Sequence, residues 1–320
     1  MSGTLAGKVV AITGAGRGIG RGHALTLAAH GARIVVNDIG GRVEGTGTDK
    51  RVADEVVDLI KAAGGEAVAN YSDISTWPGA AELVDQAVSE LGSLDGLVNN
   101  AGVLLNTDFL TCTEDEFDQV MRVHVKGTFA GMKAAMSHWE RLGPAPAGTR
   151  PIVNTVSDAM LLGLADPVYG AAKAAVAHLT LVGGVDRPEL GVRTNAIAPR
   201  AATRMSRSSA MMDYSKAAPP SEAENADRSE PSHPANTSPL VAWLVSDLSR
   251  HVNGQVFRTL GGGFTLCRPW SFGDIIYPTA KDHMFTVEDV DHTVNAFLFG
   301  SEYVRRRLDF APGDKRTQTP

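Results

Sequence analysis

Cysteine is scarce, since the chain of 320 residues contains only Cys112 and Cys267. Two cysteines are too few for a disulfide framework, and neither lies in the paired Cys/His spacing of a zinc site. The sequence therefore predicts no metal site, and its cysteine usage is typical of a reducing compartment.

Long apolar runs are also absent. None approaches the roughly 20 residues that a membrane-spanning helix needs. The opening stretch MSGTLAGKVVAITG has none of the charged, hydrophobic and cleavage regions of a signal peptide. We therefore expect a cytoplasmic protein with no membrane partner.

The chain has little excess charge. Its formal net charge is −6, and its one basic cluster, residues 305–307, is short enough to be a solvated surface feature. We therefore expect no nucleic acid partner. An apolar content of 43% is ample for a sizeable core and indicates a globular protein.

Short apolar runs do recur, with helical stretches between them. The runs are residues 9–12, 34–36, 67–69, 96–98, 152–156, 194–198 and 255–257. Their length suits strands that are buried on both faces. Strands alternating with helices predict an α/β fold, a Rossmann-type doubly wound parallel sheet of about seven strands. We expect a single catalytic domain over residues 1–263 and a C-terminal extension over residues 264–320.

Two helices carry clear sequence signals. One apolar helical face is formed by Val52, Val56, Leu59 and Ile60. Gly64 follows this face where a helix should end. Thr113 and Glu116 have the spacing of a capping box. The apolar face that continues from this cap is formed by Phe117, Val120, Met121, His124 and Val125.

Two segments interrupt the alternation of strands and helices. Residues 206–239 are rich in Ser, Pro, Ala and Asn and show no apolar periodicity, which predicts a mobile loop. In the C-terminal extension, Thr286 has the spacing to cap a helix that runs to about residue 299.

A glycine-rich loop follows the first predicted strand and opens a helix. Its sequence is Thr13-Gly14-Ala15-Gly16-Arg17-Gly18-Ile19-Gly20. Glycines in this position let backbone N–H groups approach a pyrophosphate. The spacing is GxxxGxG, which differs from the GxGxxG fingerprint and indicates another dinucleotide-binding lineage. The loop predicts a dinucleotide cofactor.

The choice of dinucleotide depends on Asp38, at the end of the second predicted strand. A carboxylate there accepts hydrogen bonds from the adenosine ribose and repels a 2′-phosphate, which favours NAD over NADP. Arg17 argues in the other direction if it grips that phosphate, and its alternative is to pair with Asp38. We predict NAD, because a desolvated contact between like charges costs more than a flexible arginine recovers.

Tyr169 and Lys173 lie four residues apart in a helical stretch, so both side chains project from one face. The pair is suited to proton transfer, since a neighbouring ammonium and a positive nicotinamide favour the phenolate and move its pKa towards neutral pH. Ser157 ends the preceding strand at the carboxyl edge of the sheet, where ligands bind. Its hydroxyl is placed to hold a substrate oxygen.

These motifs, with Asp73 and the run Asn99-Asn100-Ala101-Gly102, make the sequence resemble the short-chain dehydrogenase/reductase family over residues 5–263. The resemblance implies that Ser157, Tyr169 and Lys173 are catalytic, although the gap from Ser157 to Tyr169 is one residue shorter than usual. It also implies a set of cofactor-binding residues. They are Gly14, Arg17, Gly18, Ile19, Gly20, Asp38, Asp73, Ile74, Asn100, Ala101, Gly102, Tyr169, Lys173, Pro199 and Thr203.

The sequence departs from the family pattern in two places. His124 lies in the stretch where the family has an Asn that completes a proton relay. It is either a catalytic relay residue or a buried structural histidine. After the sixth strand, Pro199 is followed by Arg200 in place of the usual glycine, and Thr203 is still expected to reach the cofactor. In the family, the segment after this strand covers the substrate, so residues 206–239 are either a lid or a solvated tether.

Four sequence stretches resemble the (3R)-hydroxyacyl-CoA dehydrogenase branch of this family, found in peroxisomal multifunctional enzyme type 2 and in similar actinobacterial enzymes. They are VVNDIGG, EAVANY, RVHVKGTF and NAIAPRAATRM. The resemblance implies oxidation of a (3R)-hydroxyacyl-CoA. The alternatives are a dehydrogenase or reductase of a steroid or another secondary alcohol, and a noncatalytic NAD-sensing protein. Small residues on the helix that contains Tyr169 permit close packing against a partner helix, and the family is commonly dimeric or tetrameric. We therefore predict a homodimer or homotetramer.

Overall fold

The structure is a computed structural model that describes residues 3–161, 166–208, 230–268, 286, 287, 289 and 290. The chain divides into two compact units, Met1–Cys267 and Arg268–Pro320. Nearly all described residues belong to the first unit, whose fold follows. The division at residue 263 stays a prediction.

The first unit is built on one sheet of eight strands in the order β3-β2-β1-β4-β5-β6-β7-β8. The strands are β1 Val9–Thr13, β2 Arg33–Asn37, β3 Ala67–Asn70, β4 Gly96–Asn99, β5 Arg150–Thr155, β6 Val192–Arg200, β7 Val256–Leu260 and β8 Gly263–Leu266. All neighbouring strands are parallel except β8, which runs antiparallel to β7. The predicted doubly wound parallel sheet is confirmed, and β8 was not foreseen.

Helices cover both faces of the sheet. They are α1 Gly18–Ala29, α2 Arg51–Ala62, α3 Trp77–Leu91, α4 Glu114–Met121, α5 Gly127–Leu142, α6 Pro167–Gly183, α7 Arg204–Ser208 and α8 Ser238–Val245. Val10 and Ile12 of β1 pack with α1, α2 and α8, whereas Val9 and Ala11 pack with α3 and α5. Both faces of a central strand are thus buried, which explains why the strands read as continuous apolar runs. No helix in the described part of the chain is long and apolar enough to cross a membrane.

Two helix predictions are confirmed in outline and corrected in detail. The α2 helix ends just before Gly64, but Leu59 is 44% exposed, because Val57 and Ala53 complete the buried face in its place. Thr113 and Glu116 form the predicted capping box of α4. The helix does not continue regularly, because a π-helical turn, Arg122–Lys126, separates α4 from α5.

The segment predicted as a loop is helical at both ends. Residues 204–208 form α7, which begins with a reciprocal cap: Ser206 N–H donates to Thr203 Oγ1 at 3.1 Å, and Thr203 N–H donates to Ser206 Oγ at 2.7 Å. At the other end a 3-10 turn, Pro234–Thr237, leads into α8. Proline is compatible with the first turn of a helix. The prolines at positions 234 and 239 therefore stand at helix starts, although the composition had suggested a loop. Residues 209–229 lie outside the described part of the chain.

The predicted cap in the extension is present. Thr286 N–H donates to Asp289 Oδ2 at 2.9 Å, and Asp289 N–H donates back to Thr286 Oγ1 at 3.1 Å. Most of the helix predicted to follow it lies outside the described residues.

A fully buried histidine joins two helices of the first unit. His23 on α1 has 0% exposure, and its Nδ1 lies 2.9 Å from Ser238 Oγ at the start of α8. Burial lowers the pKa of His23 to about 3, because the imidazolium would lose its hydration.

This pKa predicts a loss of stability in mild acid. The unfolded chain takes up a proton on His23 below about pH 6.5, whereas the folded chain does so only near its pKa of about 3. Stability present above pH 6.5 is therefore lost as the pH falls, by about 2 kcal/mol at pH 5. Denaturant unfolding at both pH values should give a smaller difference for His23→Gln than for wild type. The control is His30→Gln at the exposed end of α1, and an equal loss in all three proteins would refute the assignment.

Candidate active site

The predicted site residues come together in one cleft at the carboxyl ends of the strands. The cleft has a volume of about 330 Å³. Its lining includes every predicted site residue, namely Gly14, Arg17, Gly18, Ile19, Gly20, Asp38, Asp73, Ile74, Asn100, Ala101, Gly102, His124, Ser157, Tyr169, Lys173, Pro199 and Thr203. The strand order reverses between β1 and β4, and open α/β sheets bind ligands at such a reversal.

The glycine loop between β1 and α1 is packed too closely for side chains. A Cβ on Gly14 would lie 2.8 Å from Ala101 Cα, and one on Gly20 would lie 2.1 Å from Gly14 O. The loop is tied to the end of β4, because Asn100 Nδ2 donates to Gly14 O at 3.0 Å and the backbone N–H groups of Asn100 and Ala101 donate to Thr13 Oγ1. Sequence reasoning did not find this role of Thr13.

The N-terminus of α1 opens on the cleft. Its N-cap residue, Arg17, supplies no side-chain hydrogen bond to the helix. The positive end of the helix dipole, beside glycines that leave room for close approach, suits a pyrophosphate. The residues present therefore fit a dinucleotide.

Asp38 is held rigidly at the end of β2. Its Oδ2 accepts a hydrogen bond from Gly16 N–H at 2.9 Å, and its Oδ1 accepts one from Gly40 N–H at 2.7 Å. Arg17 does not pair with it, since Arg17 Nη1 instead donates to Gly41 O at 3.3 Å. Within the described part of the chain Asp38 forms no ion pair, and a carboxylate in this position opposes a 2′-phosphate.

Asp73 lies at the same end of the cleft as Asp38. Its Oδ1 accepts a hydrogen bond from Ser75 N–H at 3.0 Å, and its Oδ2 lies 3.8 Å from Arg122 Nη1. Arg122 also donates to Ser75 Oγ at 3.2 Å and lines the cleft beside Ile74. Arg122 was not singled out from the sequence, because its contacts, Asp73 and Ser75, lie in the loop between β3 and α3, about 50 residues away along the chain.

The α6 helix fixes the position of Tyr169 and Lys173. Its N-cap residue, Asp166, accepts hydrogen bonds from Tyr169 N–H and from Thr107 Oγ1, both at 2.9 Å. Asp166 is only 4% exposed. Two residues from distant parts of the chain thus set the start of the helix, which the sequence did not indicate.

Ser157, Tyr169 and Lys173 meet at the opposite end of the cleft from Asp38. A hydrogen bond joins the side chains of Tyr169 and Ser157. Lys173 Nζ lies 5.6 Å from the centre of the Tyr169 ring and donates to Thr155 O at 2.7 Å. The three predicted catalytic groups are therefore neighbours.

The electrostatics of this trio differ from the sequence expectation. Burial raises the pKa of Tyr169 to about 12, although its hydrogen bond with Ser157 acts in the opposite direction. Burial also lowers the pKa of Lys173 to about 7. In the protein alone the lysine does not lower the phenol pKa, because desolvation dominates both groups. The lowering expected from the ammonium together with a bound nicotinamide stays a prediction.

His124 lies in the π-helical turn between α4 and α5. It is 1% exposed, its Nε2 lies 2.8 Å from Val103 O, and its ring meets the Tyr169 ring edge-on at 5.3 Å. Burial, aided by the Lys173 charge, lowers its pKa to about 3. A neutral imidazole bonded to the backbone and packed on Tyr169 has a structural role, and a relay role for His124 stays a prediction.

Two features beside the trio were missed in the sequence. Asp158, directly after Ser157, forms an ion pair with Arg258 of β7 at 2.8 Å. The strap, defined here as residues 39–49, crosses from β2 towards α4, and Val43 O accepts a hydrogen bond from Leu104 N–H at 3.1 Å. Val43 packs against the cluster that contains Tyr169. The strap thus links the two ends of the cleft.

Several known proteins are similar to this chain in sequence. Residues 8–213 match the family described as short chain dehydrogenase. Hydroxyacyl-CoA dehydrogenase ChsB1 of Mycobacterium tuberculosis is 38% identical over 269 residues, which cover 83% of this chain and 81% of that protein. Peroxisomal multifunctional enzyme type 2 of Mus musculus is 32% identical over 80% of this chain but only 32% of its own length.

A solved structure agrees with the sequence matches. The crystal structure of a short chain dehydrogenase from Mycobacterium avium has a TM-score of 0.76 and 41% identity, and the match covers 91% of this chain and 94% of that one. The chain belongs to the short-chain dehydrogenase/reductase family of oxidoreductases.

Proposed function

We propose that this oxidoreductase uses NAD to oxidise a (3R)-hydroxyacyl-CoA to the 3-ketoacyl-CoA. The observation that carries the proposal is that Ser157, Tyr169 and Lys173 share one cleft with the glycine loop and Asp38. The names of two relatives, a hydroxyacyl-CoA dehydrogenase and a peroxisomal multifunctional enzyme, support the substrate class.

The cofactor proposal follows from the chemistry of the cleft. Bound NAD supplies the acceptor for the hydride that leaves the substrate carbon. The glycine loop and the N-terminus of α1 would hold its pyrophosphate, and Asp38 would accept hydrogen bonds from the adenosine ribose. Asp73, Ile74 and the residues after β4 would surround the adenine side.

The proton is handled by the residues of the chain. Ser157 Oγ holds the substrate oxygen. As the hydride leaves, Tyr169 gives its own hydroxyl proton towards neutral Lys173 and takes up the substrate's hydroxyl proton in its place, so the carbonyl forms without a free alkoxide. Lys173, with a pKa of about 7, is the group that can take the proton onward at neutral pH. In reduction the proton transfers occur in the opposite direction, and the neutral phenol of Tyr169, with a pKa of about 12, donates its proton to the substrate oxygen.

The NAD preference predicts the effect of one substitution. Asp38→Ala removes the carboxylate that opposes a 2′-phosphate, so the ratio of kcat/KM for NAD to that for NADP should fall by at least about tenfold. Both cofactors are compared at saturating substrate. A wild-type enzyme that already prefers NADP would show that Arg17 dominates the choice.

A homodimer or homotetramer and a cytoplasmic location complete the proposal. Ala171 and Ala174 are exposed on α6, which leaves a small-residue face for close packing with another helix. The few, unpaired cysteines support a reducing compartment.

The experiment that tests the function is a screen with NAD against (3R)- and (3S)-hydroxyacyl-CoA thioesters and hydroxysteroids. We expect turnover of the (3R)-thioesters and inhibition by free CoA. Turnover of hydroxysteroids alone, with no effect of CoA, would assign the enzyme to secondary alcohols without a CoA carrier. Binding of NAD without turnover of either class would favour an NAD sensor, which the intact catalytic trio argues against.

A further inference from the structure

The cleft is strongly positive although the chain is not. Its lining contains two aspartates, Asp38 and Asp73, and six basic residues, Arg17, Arg42, Arg122, Lys173, Arg200 and Arg204. The whole chain has a formal net charge of −6. A basic cleft in an acidic chain attracts anionic ligands by focusing the field.

Two of these basic residues have partners at the cofactor end of the cleft, which is the end that contains Asp38 and Asp73. Arg17 donates to Gly41 O in the strap, and Arg122 lies against Asp73 and Ser75. Both aspartates lie at this end as well. The opposite end, with Ser157 and Tyr169, has positive residues in its lining and no acidic residue.

Arg200 is a basic residue at that end whose side chain has no partner among the described residues. It is the last residue of β6, is partly buried and lines the cleft. Within the described part of the chain, its side chain makes no hydrogen bond and no ion pair. Asp158, which follows the neighbouring strand β5, is already occupied, because both of its carboxylate oxygens accept a hydrogen bond from Arg258 Nε at 2.9 Å.

Strand geometry directs Arg200 to the catalytic face of the sheet. Residues two apart in a strand point to the same side, and Ala198 packs with Val176 of α6. Arg200 therefore extends on the side of α6, the helix that carries Tyr169 and Lys173. A partly buried guanidinium without a protein partner has its N–H donors free for the oxyanion of a ligand.

We propose that Arg200 forms an oxyanion subsite for the substrate. Its planar guanidinium can donate two parallel hydrogen bonds to a phosphate or a carboxylate. Under the proposed function, on which the choice of probes rests, the oxyanion is either a phosphate of the CoA carrier or a carboxylate of the substrate itself. The subsite selects anionic substrates, and its contribution belongs to substrate binding rather than to cofactor binding.

Calorimetric titration of the NAD-saturated full chain tests the subsite without requiring turnover. The first pair of probes is 4′-phosphopantetheine, the phosphorylated arm of CoA, and pantetheine, which lacks the phosphate. The second pair is (3R)-3-hydroxybutyrate and its methyl ester. The variants are Arg200→Gln and Arg200→Lys. Arg187→Gln is the control, because Arg187 is an arginine outside the cleft, in surface ion pairs with Glu140 and Glu189.

We expect the wild type to bind the anionic member of one pair at least about tenfold more tightly. Arg200→Gln should abolish this difference, Arg200→Lys should restore part of it, and Arg187→Gln should leave it unchanged. The affected pair identifies the source, CoA phosphate or substrate carboxylate. The proposal would be overturned if the wild type preferred the anion in neither pair or if the preference survived in Arg200→Gln. It would also be overturned if Arg200→Gln weakened the binding of NAD instead of the binding of the anionic probe. If the thioester screen fails but an anion preference depends on Arg200, the proposed function fails and the subsite remains.

Discussion

Replacing Tyr169 with phenylalanine is expected to lower turnover by at least about 100-fold while leaving NAD binding largely intact. The substitution removes only the hydroxyl that exchanges a proton with the substrate. The ring keeps its edge-on contact with His124 and its place in the apolar cluster with Leu104 and Ala159. Because burial already holds the phenol neutral, with a pKa of about 12, the substitution changes no charge in the protein alone.

The measurement is single-turnover hydride transfer, so that product release does not hide the chemical step, together with titration of NAD. Tyr71→Phe is a matched control, since the Tyr71 hydroxyl also hydrogen-bonds a side chain, Asp54, but lies outside the cleft. Turnover within a few fold of wild type for Tyr169→Phe would remove Tyr169 from the catalytic set.

The sheet was predictable because its strands are buried on both faces. Val9, Val10, Ala11 and Ile12 all have 0% exposure, so the sequence there is apolar without alternation. The last strand had no such signal, because all four residues of β8 are exposed. Gly261 and Gly262, which have positive φ angles of 56° and 80°, make the turn into β8 and look in the sequence like the end of the sheet.

The cleft was predictable where its residues directly follow strands. Gly14, Asp38, Asn100, Ser157 and Pro199 lie at or just beyond the carboxyl ends of different parallel strands, which meet at one edge of the sheet. Topology alone therefore brings them together.

The contacts between these loops were not predictable. The pairs Thr107 with Asp166 and Asp158 with Arg258 are 59 and 100 residues apart in the chain, and neither has a local pattern. The same holds for the strap, whose hydrogen bond to Leu104 joins residues about 60 apart with no local pattern. Tyr169 packs with Val43 and Leu104 from these loops, so the desolvation that raises its pKa in the protein alone had no signal in the sequence.

The pH dependence of substrate oxidation is expected to change when Lys173 is replaced. Folded Lys173 has a pKa of about 7 and is 4% exposed, so it is largely neutral above that pH and can accept the proton that Tyr169 releases as it takes up the substrate's proton. Wild-type kcat/KM for oxidation should fall about tenfold per pH unit below pH 7 and level off above it. The breakpoint belongs to the Tyr169 and Lys173 pair as a unit.

Lys173→Arg and Lys173→Met separate the charge of this residue from its proton transfer. Arginine keeps a positive charge but does not titrate in this range, and methionine has neither property. Both variants should lose about 100-fold in turnover at pH 7, and their rates should continue to rise with pH, because the remaining acceptor is a phenol with a pKa of about 12. Profiles of kcat/KM from pH 6 to 9 show whether the breakpoint near pH 7 is lost in the two variants. A breakpoint near pH 7 that persists in Lys173→Met would mean that another group accepts the proton, since methionine cannot titrate.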